Sequence, residues 1–376
     1  MDGVPGVPIV PGGNFTYRFS AASEYGFFWY YSYFRAYYND AIRGPLLIRP
    51  SASPLLAAER DAANILLNDW TYELSDAIFS RYNSTGAFLS CVDRRSETLT
   101  SAAGRSISMA MALRMGSLSL RGCMPPMMFK PGFDIALRVS LDGHSMFVYA
   151  ADGLYTNMQK VNRYSVMVKL NRAPGEYYLR FGRAIVWYNT TKASNNNVED
   201  LVSDSMYVNG SAKSGAALLD ALALTPFENN LSPPSGLADK TLSFMVNQTD
   251  ILSWVIDRAP FEEPSIPIIY GNISLGWDSV TTRYLPINLT IDIVMGILNQ
   301  SLDKMGHPIY LHGYKFWVLG SGVGTFLYAT IADAPADILN LKNPLYRDTT
   351  GLPSQGWVVI RYVTDNPGAW IFYCHL

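Results

Sequence analysis

Seven residues carry the strongest metal-binding chemistry in this chain: His144, His307, His312 and His375, with Cys91, Cys123 and Cys374. Two of the histidines sit five apart in the apolar stretch HPIYLHGYKFWVLG, residues 307–320, and His375 directly follows Cys374. A thiolate joined by imidazoles from a distant strand is a donor set that suits copper. The plainer alternative is that a few histidines and one cysteine are simply scattered through β-structure. Tyr310 and Tyr314 stand in the same stretch where a metal site would want more imidazole. The cysteine count is odd and no C-x-x-C pair occurs; Cys91 and Cys123 could pair, or each could be a small buried apolar side chain.

Other chemistries find less material. GSGVG at 320–324 follows a strand pattern with no helix pattern after it, so a hairpin loop is expected rather than a phosphate cradle. No serine lies in a G-x-S-x-G context, and acidic residues are too scattered to single out a carboxylate pair.

Strands are the elements that must position these residues. Short runs rich in Val, Ile, Tyr and Thr alternate with Gly/Pro turn clusters, the pattern of an all-β protein. NFTYRFS (14–20), GFFWYYSYF (26–34) and RGPLLIRPS (43–51) read as strands of a first block, and PLLAAERD (54–61) as a short helix. A second block over 62–188 carries FDIALRVSL, SMFVYAADG, RYSVMVKL and EYYLRFGRAIVWY. Residues 189–240 turn small and polar, a linker composition. A third block, 241–376, carries TLSFMVNQ, LTIDIVMGIL, YKFWVLGSG and GWVVIRYV. No short internal repeat is visible.

With 16% charged residues, net charge −2 and no basic run, nucleic acid is excluded as a main partner. No apolar run reaches membrane-spanning length, so no membrane span is expected. The start, MDGVPGVPIVPGG, lacks a basic segment followed by an apolar one, so no secretory signal is expected. Against this, nine Asn-x-Ser/Thr sequons begin at Asn14, Asn83, Asn189, Asn209, Asn230, Asn247, Asn272, Asn288 and Asn299, and so many suggest passage through the secretory pathway.

Several motifs together resemble one family, the fungal, especially ascomycete, laccase-like multicopper oxidases. MDGVPGV resembles the segment after that family's first copper motif. FWYYSYFRAYYNDAIRGPLLIRP resembles its second motif region, W-[YW]-H-S-H with a D-x-x-R-G-P run. GCMPPMMFKPGFD and DGHSMFVYAADG resemble its middle domain. HPIYLHGYKFWVLGSG resembles H-P-x-H-L-H-G-H, and NPGAWIFYCHL resembles N-P-G-x-W-x-x-H-C-H. The motifs run in order along the whole chain.

The resemblance implies cupredoxin-like Greek-key β-sandwich domains: the C-terminal part of a first domain in 1–52, a second in 62–188, and a third in 241–376 that stops inside its last copper motif. It implies a secreted protein with four coppers, a blue copper taking electrons from a phenolic substrate and a three-copper cluster reducing dioxygen to water. His307 and Cys374 match blue-copper ligands, while His312 and His375 match cluster ligands. Asp2 matches an acidic residue beside the cluster. Tyr31, Tyr33, Tyr310 and Tyr373 fall on cluster-histidine positions, and Tyr314 replaces a motif histidine that is not a ligand. The first H-x-H pair would precede Met1, and the last blue-copper histidine would follow Leu376. One C-to-T change turns a His codon into a Tyr codon, so decay of a duplicated gene would account for the tyrosines together. The expectation is therefore a degenerate oxidase, inactive in this form, or else a non-enzymatic remnant: a glycoprotein scaffold or weak single-copper binder.

Overall fold

The computed structural model of the chain describes residues 9–21, 24–32, 37, 40, 42–49, 62–70, 74–85, 91–92, 98–99, 106–109, 117–120, 126–132, 139–141, 143–152, 154–160, 165–173, 175–180, 183–188, 213–215, 221–227, 232–250, 253–261, 280–302 and 306–374. Strands dominate them, as the alternation predicts. The N-terminal aromatic run forms β1 (Gly26–Tyr31), paired antiparallel with β2 (Arg43–Ile48).

The middle region carries β3 (Ala63–Trp70), helix α1 (Ser75–Thr85), β4 (Cys91–Val92), β5 (Thr98–Leu99), β6 (Ser106–Met109), β7 (Ser117–Leu120), β8 (Pro126–Gly132), β9 (Ser140–Leu141), β10 (Ser145–Ala151), β11 (Leu154–Lys160), β12 (Ser165–Lys169), β13 (Gly175–Arg180) and β14 (Arg183–Tyr188). The C-terminal region carries β15 (Lys240–Asp250), β16 (Ser253–Ile256), β17 (Thr290–Ile297), β18 (His307–Leu311), β19 (Phe316–Val323), β20 (Leu345–Arg347), β21 (Thr349–Leu352), β22 (Gly356–Val363) and β23 (Phe372–Cys374).

Each of these two regions is built on a six-stranded sheet, ordered β11-β10-β12-β8-β3-β6 in the middle and β16-β15-β17-β22-β19-β20 toward the C-terminus. A second sheet accompanies each, β7-β14-β13-β9 and β21-β18-β23 respectively. The C-terminal core shows why two layers form. Leu242, Ile291, Ile293, Val318 and Ile360 of the large sheet pack with Ile309, Leu311 and Leu352 of the small one. The other face of the large sheet is covered as well, with Val294, Trp317, Leu319, Trp357 and Val359 packing against Ile331 and Leu339. Burial on both faces explains why β17 and β22 read as apolar runs, broken only by the paired Asp292 and Arg361 and by small residues, instead of alternating ones.

Three details depart from expectation. NFTYRFS does not join a sheet: residues 14–20 form no strand, and Phe15, Tyr17 and Phe19 are exposed. Alternation favours extension, but a strand needs a neighbour to receive its hydrogen bonds. GSGVG is not a hairpin loop. Gly320 to Val323 continue β19 and pair with β22 across a bulge, because a Cβ at Gly320 would lie 2.6 Å from the carbonyl oxygen of Ile338 and glycine alone allows that approach. Helix α1 was not anticipated. Its sequence has no apolar stripe, and its start is held from outside: the Ser75 N–H and hydroxyl both donate to Asp40 Oδ1 at 2.8 Å, which places a carboxylate where the helix dipole favours one. The expected helix over 54–61 lies outside the described residues.

Candidate metal centre

Strand β18 sorts the candidate donors by face. Side chains alternate along a strand, and here His307, Ile309 and Leu311 are buried while Pro308 and Tyr310 are half-buried. The buried set joins the core between the sheets. Cys374, which lies opposite Ile309 on the neighbouring β23, packs partly against that core. His307 and Cys374 therefore meet on the inner face, with His307 Nδ1 3.3 Å from Cys374 Sγ. His307 is only 5% exposed. Trp254 on β16 presents its ring edge-on to His307, with centroids 5.1 Å apart.

The opposite face collects the tyrosines. Tyr310 and Tyr373 are direct cross-strand partners, ring centroids 5.7 Å apart. His312, just past the end of β18, lies 4.8 Å from Tyr310 and 5.7 Å from Tyr373 by centroid. Tyr31, at the end of β1, reaches across from the N-terminal region, and its hydroxyl stands 2.5 Å from that of Tyr373. These residues are separated by 342 positions in the chain. Trp29 stacks at 4.8 Å on Tyr31, and Arg43, opposite Tyr31 in the β1–β2 ladder, lies over the Trp29 ring.

A tight turn holds His312 in place. Gly313 has φ +70°, and a Cβ there would stand 2.5 Å from the Trp370 ring, so both conformation and space demand glycine. Trp370 Nε1 and the Tyr314 hydroxyl both donate to the Asn366 carbonyl oxygen, at 2.8 and 2.5 Å. The Asn366 amide donates back to the Gly313 carbonyl oxygen at 2.9 Å. This knot ties the turn carrying His312 to the segment leading into Cys374. Burial pushes the Tyr314 hydroxyl above the usual phenol range, keeping it protonated as a donor. Trp254, Trp29 and the Tyr314 knot escaped sequence reasoning, because no local pattern marks a side chain as the neighbour of a distant histidine.

Asp2, Tyr33 and His375 lie outside the described residues, as do Cys123 and the sequon positions Asn189, Asn209, Asn230 and Asn272. The Cys91 side chain lies outside them too, and with it the Cys91–Cys123 pairing. His144 belongs to neither cluster; it meets Tyr177 edge-on in the middle region. Among the described residues, no three His, Cys, Asp or Glu side chains are grouped to hold a metal.

Known proteins supply the frame for these two clusters. Models of the multicopper oxidase family match residues 1–53, 129–204 and 275–376, together more than half of the chain. A laccase of Pestalotiopsis fici is 26% identical over 460 residues, spanning 100% of this chain and 77% of that protein. Laccase-1 of Botryotinia fuckeliana is 28% identical over 427 residues, spanning 100% of this chain and 67% of its own length. The crystal structure of the laccase from Botrytis aclada shares the fold, with a TM-score of 0.69 at 21% identity, over 94% of this chain and 67% of that one. With its cupredoxin-like sandwiches and its three matches in chain order, this chain belongs to the laccase-like multicopper oxidases.

Proposed function

We propose that this chain keeps the frame of a laccase-like oxidase without its full chemistry. The family reaction is copper-dependent oxidation of a phenolic substrate coupled to reduction of dioxygen to water, and this chain does not carry it through. One observation bears most of that reading: the Tyr31 and Tyr373 hydroxyls meet at 2.5 Å where the family would place cluster imidazoles. Tyr310 joins them, and His312 is the single imidazole among the described residues of that cluster. A neutral imidazole offers a lone pair at pH 7, whereas a free phenol with a pKa of about 10 is ionised in roughly one molecule in a thousand. The donor set does not fit a three-copper cluster.

The inner pair fits copper better. The Cys374 thiol and His307 imidazole would hold one copper between a soft and a borderline donor. Bound copper there would supply a one-electron acceptor for a phenol. His307 and Cys374 would orient it, and Trp254 and the surrounding core would limit water.

A second reading, a non-enzymatic glycoprotein scaffold or weak single-copper binder, draws on the same His307–Cys374 pair and on the sequons. Asn14, Asn83, Asn288 and Asn299 are exposed, whereas Asn247 lies inside β15 with its amide oxygen buried. Secretion is part of this proposal and rests on those sequons. No helix among the described residues is long and apolar enough to cross a membrane.

Oxygen uptake with a phenolic substrate and added copper, together with copper per chain, tests the proposal. We expect no uptake above free copper and at most one tightly held copper. Copper-dependent uptake exceeding free copper would overturn it.

A further inference from the structure

We propose that the tyrosine cluster between β1, β18 and β23 is a site for a hard trivalent cation, ferric iron being the natural candidate, seated between the phenol oxygens of Tyr31 and Tyr373. The inference rests on the reading that these positions do not build a copper cluster.

The two hydroxyls stand 2.5 Å apart, close enough for one small ion to replace their hydrogen bond with only a slight opening. Tyr310 and His312 flank Tyr373, each with its ring centroid 5.7 Å away, and supply further oxygen and nitrogen donors within the same cluster. Phenolate is a hard anionic oxygen donor, and tyrosinate is an established type of iron ligand. Replacing imidazole by phenol therefore redirects preference from copper toward a harder, more highly charged ion. The bound ion supplies the charge that stabilises phenolate, so a phenol protonated in its absence can still ligate. Binding is a substitution without redox change: two iron–phenolate bonds form as two bonds from iron to water or nitrilotriacetate break, and the two phenol protons pass to solvent.

The framework is suited to hold such an ion. Tyr310 and Tyr373 are fixed by the β18–β23 ladder, His312 by the Gly313–Trp370 turn, and Tyr31 by β1 and the Trp29 ring. Lys315 and Glu24 form an ion pair that also joins the N-terminal and C-terminal regions. Carboxylates and thiols are not needed for such an ion, since phenolate oxygens supply the hard anionic donors.

The test is titration of the purified full chain with ferric nitrilotriacetate, read as the visible phenolate-to-iron charge-transfer band and by resonance Raman of the tyrosinate ring modes. We expect one equivalent per chain, weakening in Tyr31→Phe or Tyr373→Phe and loss in the double variant. Gallium(III), a redox-inert ion of the same charge, should suppress the band when added first. No band, a band undiminished in the double variant, or indifference to gallium would overturn the site and leave adventitious iron only. Should the double variant fail to fold, gallium competition and the Raman signature on the unmodified chain decide alone. Copper titration in parallel separates the two claims. Three or more coppers per chain would defeat the functional reading, whereas absence of both copper and the ferric band would defeat only this inference.

Discussion

The middle and C-terminal sandwiches are the same frame carrying different cargo. Followed from the β6 edge, the middle sheet runs β6-β3-β8-β12-β10-β11, and the C-terminal sheet matches it as β16-β15-β17-β22-β19-β20. Each has one parallel pair at the same place, β3 with β8 and β15 with β17. The small-sheet joint matches too: β9 pairs β13 through Leu141–Leu179 and Ser140–Arg180, while β18 pairs β23 through Leu311–Phe372 and Tyr310–Tyr373. Both joints lead into a left-handed glycine, Gly143 at φ 67° and Gly313 at φ 70°. Where the C-terminal joint places Tyr310 and Tyr373, the middle one places Ser140 and Arg180. The joint forms with either set, so its backbone pairing does not depend on which side chains it carries.

The largest break in the comparison should come from an ion pair buried inside the C-terminal sheet. Arg361 and Asp292, both 1% exposed, form a two-pronged ion pair at 2.7 and 3.0 Å, and Arg361 also donates to the carbonyl oxygens of Pro234 and Gly236. The corresponding β8–β12 ladder pairs Met128 with Ser165, Met127 with Val166 and Pro126 with Met167, none of them oppositely charged. Asp292→Ala strands a buried guanidinium and should cost about 3–5 kcal/mol in denaturant unfolding. A loss below about 1 kcal/mol would mean the pair is solvated.

Matched cavities come next. Ile65→Ala in β3 and Leu242→Ala in β15 should each cost about 2–5 kcal/mol, Ile65 the more because it is fully buried and Leu242 is not. If the two frames are energetically independent, a calorimetric scan will show each variant lowering a different transition.

Smaller still is the link between the frames. Arg347 on β20 donates to Asp152 Oδ2 at 2.8 Å, and both side chains are nearly buried. Asp152→Asn should cost about 1.5–3 kcal/mol and move the two transitions apart. Unchanged coupling would mean that contacts other than this ion pair hold the two frames together.

The mildest effect is a pH dependence confined to the C-terminal frame. Burial, then the charges of Asp365 and Glu24, push the Tyr346 phenol up to about 12. The unfolded chain ionises this phenol near pH 10 while the folded one holds its proton, so its contribution is complete below about pH 10 and is lost as pH climbs toward 12. Tyr346→Phe should flatten the fall in melting temperature over that window. An equally steep fall in the variant would assign it to other groups, Tyr362 first, since burial raises that phenol as well.

Much of this molecule was legible in its residues. SMFVYAADG and GWVVIRYV announced β10 and β22 because a strand's burial pattern is written locally, residue by residue. The motif order carried the family. EYYLRFGRAIVWY, read as one segment, holds two paired strands, β13 and β14, and Gly182 between Arg180 and Arg183 was the local sign of the break. That both regions are sandwiches followed from the family resemblance, but their matched strand order had no local signature, because order and register, rather than residue identity, are what the two frames share.

Local chemistry thus determined which residues could be donors and where most strands lay, while the expectation of histidines at the tyrosine positions came from the family resemblance. Tertiary structure alone decided that β18 sends His307 to the core and Tyr310 to the opposite face, that Cys374 lies 3.3 Å from a histidine 67 positions away, and that Tyr31 meets Tyr373 across 342. The reason is range. Propensity and alternation act between neighbours, whereas a site is made by register between strands and packing between regions, and those energies exist only once the chain has closed on itself.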